Sequence, residues 1–223
     1  MISCVQKERC QNPGLLFDSG DSLLGSNTVF RFHEPIAELM NEADYTAQAM
    51  GNREFNYLRR VMAMREKSRK FPLLCCNLTD LHCGCRYWQE VLEIPAGRCD
   101  NSVPLIITGA TPVQYPAGHF WEKVFGFRFI DPLKAVPEAI SKAVSQGARV
   151  IVLSHLGLDM DKKLAEVLPE GSLIIGGHSH TVLEEPLFCC GCPIVQAGSH
   201  GRCFGIVNWK PETGEFSANL RFV

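Results

Sequence analysis

The chain has 223 residues, with 22 Lys plus Arg against 24 Asp plus Glu and a formal net charge of −2. That length suits a single domain, and so balanced a charge excludes a partner gripped through a strongly basic face, either a nucleic-acid polymer or an anionic membrane surface. Hydrophobic residues make up 46% and charged residues 21%, as in ordinary folded proteins, and no apolar run approaches the ~18 residues of a membrane span.

The opening Met1-Ile2-Ser3-Cys4-Val5-Gln6-Lys7-Glu8-Arg9 is too polar for a signal peptide, so the expected compartment is the cytoplasm. Gly14–Asp18 reads as a short buried strand running into Ser19-Gly20-Asp21. From Glu34 to Glu42 the pattern is helical, with Ile36, Leu39 and Met40 at i, i+3, i+4 and Pro35 in the first turn. A second helix is expected over Phe55–Arg69, and strands over Phe71–Cys76 and Val103–Thr108. Asp131-Pro132-Leu133 opens a helix that runs to about Gln146 and stops at Gly147. Arg149–Leu153 is a buried strand ending at Ser154-His155, and a helix over Lys162–Leu168 leads to the strand Leu173–Ile175. That strand ends at Gly176-Gly177-His178-Ser179-His180. The tail reads as strands Pro193–Gln196, Phe204–Trp209 and Phe216–Phe222, the last two joined by a turn at Pro211-Glu212-Thr213-Gly214. Alternating strands and helices followed by hairpins predict an α/β domain with a mixed sheet, or two sheets packed between helices.

The 11 cysteines are an odd number and include the neighbours Cys75-Cys76 and Cys189-Cys190. Neither feature suits a disulfide scaffold, so mostly buried thiols in a reducing compartment are expected. A sharper alternative is a zinc site from Cys83 and Cys85 with Cys189, Cys190 and Cys192, although a one-residue gap is shorter than structural zinc spacing.

Several strands end on residues that bind metals. Asp21 follows the first, His155 follows Val150–Leu153, and His178 and His180 follow Leu173–Ile175. Sites in open α/β sheets gather beyond the carboxyl ends of strands, so these four are expected to converge. In extended backbone i and i+2 point the same way, which would turn both His178 and His180 toward one cluster. Asn52 adds a neutral oxygen ligand.

Gly20-Asp21, Gly51-Asn52-Arg53-Glu54, Leu153-Ser154-His155 and Gly176-Gly177-His178-Ser179-His180 stand in the order used by calcineurin-like metallophosphoesterases. The chain resembles in particular the catalytic domain of the bacterial 5′-nucleotidase and cyclic-phosphodiesterase family, over about residues 12–223. Asp18–Ser26, Ala49–Tyr57 and Val195-Gln196-Ala197-Gly198-Ser199 extend the match. The resemblance implies an α/β sandwich of two mixed β-sheets flanked by helices, with divalent ions (Mn²⁺, Zn²⁺ or Fe), one or two per chain, at the strand ends. It implies that Asp21 bridges two metals, that Asn52, His155 and His178 complete one site, and that His180 belongs to the other. A metal-bound hydroxide would then hydrolyse phosphomonoesters or nucleotides, with Arg53 and His200 contacting the small-molecule substrate.

Two departures from the family pattern stand out. The family opens with a strand ending in Asp-X-His, and no such motif precedes Asp21 here, so the first strand is expected to be absent and one sheet edge open to self-association. Arg53 stands where the family has His, and Arg, with a pKa above about 12, donates no catalytic proton, though it holds a phosphate bidentately. Asn52 and Arg53 remain the catalytic candidates, with weak turnover expected. One domain over 1–223 without a C-terminal nucleoside-binding domain is the expected organisation, and a metal-binding module that has lost turnover is the competing function. His33, His82 and His119 are assigned surface or capping roles, Glu54 and Asp159 structural ones, and the aromatics from Phe120 to Phe129 to strands and core.

Overall fold

The structure, a computed structural model, describes residues 1–23, 30–97, 103–210 and 212–223. The Leu24-Gly25-Ser26 end of the first motif and Pro211 of the last turn lie outside the described residues. Helix α1 spans Ile2–Gln11 and strand β1 Phe17–Asp18. Helix α2 (Pro35–Glu42) leads to β2 (Ala47–Ala49), and α3 (Arg59–Lys67) leads to β3 (Leu73–Leu74). Strands β4 (Leu78–Asp80) and β5 (Val91–Ile94) precede β6 (Leu105–Ala110). Then come α4 (Phe120–Phe125), β7 (Phe127–Phe129), α5 (Pro132–Ser145) and β8 (Arg149–Ser154). Helix α6 (Leu158–Ala165) and β9 (Leu173–Gly176) follow. The tail is β10 (Leu187–Cys189), β11 (Cys192–Val195), β12 (Cys203–Lys210) and β13 (Glu215–Phe222).

The main sheet has six strands in the order β10-β11-β9-β8-β6-β5. Its four inner strands are parallel and its two edges antiparallel. Strand β6 is buried along its whole length and β8 everywhere but Arg149, which is why both read as continuous apolar runs. Helices α5 and α6 cover one face through Ala135, Val136, Ile140, Leu164 and Ala165. Against the other face packs a parallel sheet, β1-β2-β3, joined by the β12–β13 hairpin. Ala47, Ala49, Leu74, Ile107, Ile151 and Leu153 form that second core. The result is the expected sandwich of sheets flanked by helices.

Element boundaries depart from the sequence reading for identifiable reasons. The helix expected from Phe55 begins at Arg59, because the Asn56 carboxamide accepts from the Leu58 N–H in a turn that delays it. Helix α6 starts at Leu158, not Lys162: Gly157, at φ +88°, turns the chain, and Asp159 supplies the first-turn charge a helix N-terminus favours. Leu39 faces solvent. Phe127 and Phe129 are core residues, but Phe120 and Trp121 sit exposed on α4 and are not core aromatics. His119 caps α4 by accepting from the Trp121 N–H. Cys83 and Cys85 are bonded to one another as a disulfide, so they supply no thiolates to a zinc cluster. Among the described free thiols Cys75, Cys76, Cys192 and Cys203 are buried, whereas Cys4, Cys10 and Cys190 are exposed.

Candidate metal centre

Strand β1 delivers its chain to the sheet end at Asp18, and the turn that follows carries Asp21 in the left-handed region at φ +63°. One buried carboxylate, Glu54, fixes this turn. It accepts from the N–H groups of Asp21 (2.7 Å), Leu23 (3.3 Å) and Gly51 (2.9 Å) and from the Ser22 hydroxyl (3.2 Å). The Asp21 turn and the Gly51-Asn52-Arg53 turn are therefore pinned to a common anchor. Their approach demands glycine at position 51: a Cβ there would lie 2.4 Å from the backbone nitrogen and a carboxylate oxygen of Asp21. The Arg53 N–H closes the junction by donating to Asp21 Oδ1 at 2.8 Å.

The second arm is the end of β8. His155 is 1% exposed, and its N–H donates to the carbonyl of Ala110 at the end of β6. A carbonyl can only accept, so the 2.6 Å contact between its Nδ1 and Ser19 O places the ring proton on Nδ1. The other ring nitrogen, Nε2, faces Asp21, whose Oδ2 lies 3.3 Å away. The third arm is the end of β9, where His178, at φ +66°, brings its ring to 5.0 Å from that of His155. One ligand atom each from Asp21, His155 and His178 lie within 4.8 Å of one another.

Charges in the cluster are coupled. Burial pushes the Asp21 carboxyl up, but the hydrogen bond and charge of His155, with the Arg53 N–H and guanidinium, hold it below the usual carboxylate range. Burial pushes His155 down, and Asp21 and the Ser19 carbonyl outweigh it, leaving His155 raised. Burial first, then the charge of His155, lower His178. In the adjoining Gly51-Asn52-Arg53 turn, Asn52 Oδ1 is buried without a hydrogen-bond partner. Such atoms normally have one, and a carboxylate, an amide oxygen and two imidazoles form a donor set that divalent cations of the Mn²⁺, Zn²⁺ or Fe class accept. The residues present fit a cation.

Not every expected residue joins the cluster. The backbone at His178 and His180 is left-handed, not extended, and His180 is not among the three residues whose ligand atoms lie within 4.8 Å of one another. His180 lies edge-on to His200 at 5.6 Å, and His200 Nδ1 is 2.8 Å from Ser199 Oγ. Arg53 is half-exposed, with its Nε 3.5 Å from Asp21 Oδ2 and its Nη1 donating to the Leu23 carbonyl. All of these residues line one cleft of about 1060 Å³ with Asp21, His155 and His178. Sequence reasoning gave no role to Asp18, which lines the same cleft. It accepts from the Gly20 N–H and the Gln48 amide, and burial and the charge of Glu54 raise it to about 6.

No family model matches the chain. It is 27% identical over 210 residues to the metallophosphoesterase YunD of Bacillus subtilis, covering 93% of this chain and 44% of that protein. It is 31% identical over 194 residues to human 5′-nucleotidase, covering 82% and 32%. The chain thus spans less than half the length of these curated relatives. Among solved structures, the sulfate thiohydrolase SoxB of Thermus thermophilus superposes with a TM-score of 0.84 at 21% identity, covering 99% of this chain and 42% of that one. The calcineurin-like phosphoesterase YfkN of Bacillus subtilis superposes with 0.75 at 22%, covering 99% and 80%. In sequence this chain is similar to metallophosphoesterases and 5′-nucleotidases, and its fold is that of solved calcineurin-like phosphoesterases.

Proposed function

We propose that this chain is a metal-dependent phosphohydrolase acting on phosphate monoesters or nucleotides. In this reading Asp21, Asn52, His155 and His178 hold one divalent cation, and Arg53 and His200 face the substrate. The observation that carries it is the convergence of three ligands within 4.8 Å, with the buried, partnerless Asn52 Oδ1 in the turn whose next residue, Arg53, donates to Asp21. When bound, the cation supplies Lewis acidity toward a phosphoryl oxygen and lowers the pKa of water.

The chain's own residues set the rest. Ser19 O accepts from His155 Nδ1 and so turns Nε2 to the Asp21 side, the arrangement by which outer-shell partners orient metal-binding imidazoles. Neutral Asn52, His155 and His178 beside a single carboxylate leave a bound cation largely unneutralised and attractive to an anion. The Arg53 guanidinium offers paired donors for phosphate oxygens but no transferable proton, so the leaving group departs without general-acid help, a loss of about 10²–10⁴-fold. A second reading, one cation held without turnover, draws support from His180 lying with His200 instead of in the cluster.

Hydrolysis of p-nitrophenyl phosphate with and without added Mn²⁺, for the native chain and His155→Ala, separates the readings. Mn²⁺-dependent turnover that His155→Ala abolishes is the expected result. Stoichiometric Mn²⁺ without turnover would favour the binding module, and turnover unaffected by His155→Ala would refute the proposed centre.

A further inference from the structure

Outside the cluster, one buried carboxylate has no role in the reading above. Asp161 sits in the first turn of α6, fully buried, with its N–H donating to Gly157 O. Its Oδ1 accepts from the Ser154 hydroxyl, while its Oδ2 has no hydrogen-bond partner and lies 2.6 Å from where a Cβ on Gly176 would stand. Ser154 and Gly176 are paired across β8 and β9 at the last step of the ladder. Ser154 immediately precedes His155, and Gly176 stands two residues before His178. The carboxylate thus rests on both strand ends at the point where each gives way to a metal-ligand loop.

The contacts around it act on backbone. Ser154 Oγ donates to Asp161 and accepts from the Leu156 N–H at 3.2 Å, so the residues on both sides of His155 are tied together. From the same helix the Leu158 N–H donates to Ser179 Oγ at 3.3 Å, between His178 and His180. Helix α6 therefore grips both histidine arms, one through a side chain and the other through its first N–H. Burying a carboxyl group is costly, and burial raises this one to about 7 against the Ser154 hydrogen bond. What the carboxylate adds is a fixed acceptor that sets the Ser154 rotamer and, through it, the His155 backbone.

We propose that Asp161 is a positioning residue for the cation site: through Ser154 and against Gly176 it sets the spacing of His155 and His178. The inference rests on the cation-site reading above. Loss of outer-shell orientation typically costs 10–100-fold in metal affinity. The test is isothermal titration of Mn²⁺ into the whole chain stripped of metal, for the native protein, Asp161→Ala, Asp161→Asn and Ser154→Ala, with circular dichroism reporting folding. Asp161→Ala is expected to weaken Mn²⁺ binding by about 10–100-fold. Asp161→Asn keeps an acceptor for Ser154 and should restore most of the affinity, and Ser154→Ala should lose it to a similar extent. Should Asp161→Ala not fold, Asp161→Asn and Ser154→Ala carry the comparison alone. Native affinity in folded Asp161→Ala or Ser154→Ala, with only a lowered melting temperature, would overturn this inference and leave the cation site standing. A native chain that takes up no Mn²⁺ would overturn both.

Discussion

Four ligand candidates could be named from the sequence because each follows an apolar run that stops at a polar side chain, and Asp21, His155 and His178 do meet. The backbone conformation at His178 and His180 was not readable: alternation implies extended backbone, whereas both residues adopt positive φ. Asp18 was equally silent, since a carboxylate beside a turn looks like an ordinary surface residue. Its burial has a consequence for stability. With the folded pKa raised from 3.8 to about 6, the native state binds more protons than the unfolded chain between those values, so Asp18 contributes stability at low pH that is lost as pH rises through about 6. Asp18→Asn keeps the acceptor for Gly20 and Gln48 and removes the titration. In urea unfolding of metal-stripped protein, the native chain should lose about 1–3 kcal/mol relative to Asp18→Asn between about pH 4 and pH 6. Parallel pH profiles would contradict the assignment.

At the scale of elements, long periodic stretches were legible and short buried ones were not. Helix α5 follows its Asp-Pro start because Asp131 accepts from the Leu133 N–H and Pro132 occupies the first turn. By contrast β2 is Ala47-Gln48-Ala49, fully buried without a β-branched residue, and Gln48 is held by Asp18 and Ser22. Nothing local marks it as a strand. The two loops flanking β1 and β2 are joined through Glu54, which the sequence reading had assigned a structural role. Removing it leaves three buried or half-buried N–H groups without their acceptor. Glu54→Ala is therefore expected to cost about 2–5 kcal/mol in urea unfolding, with Glu54→Gln, which keeps one acceptor oxygen, losing less. A change within about 0.5 kcal/mol, the range of ordinary surface substitutions, would mean that the clamp does not hold the loops.

For the whole molecule, the layer plan follows from the pattern of faces. Strands β6 and β8 are apolar on both sides, so they require cover on both sides. Helices α5 and α6 provide one layer, and β1-β2-β3 with the β12–β13 hairpin provides the other. The ends of β1, β8 and β9 then carry the three groups that approach one another, and no described helix is long and apolar enough to cross a membrane. The central claim is that a divalent cation is held at that junction by Asp21, Asn52, His155 and His178. Anomalous diffraction from crystals soaked in Mn²⁺ tests it most directly. The expected result is a peak within coordination distance of the Asp21 carboxylate, Asn52 Oδ1, His155 Nε2 and the His178 ring. A peak elsewhere on the chain, with those four side chains left without an ion, would contradict it.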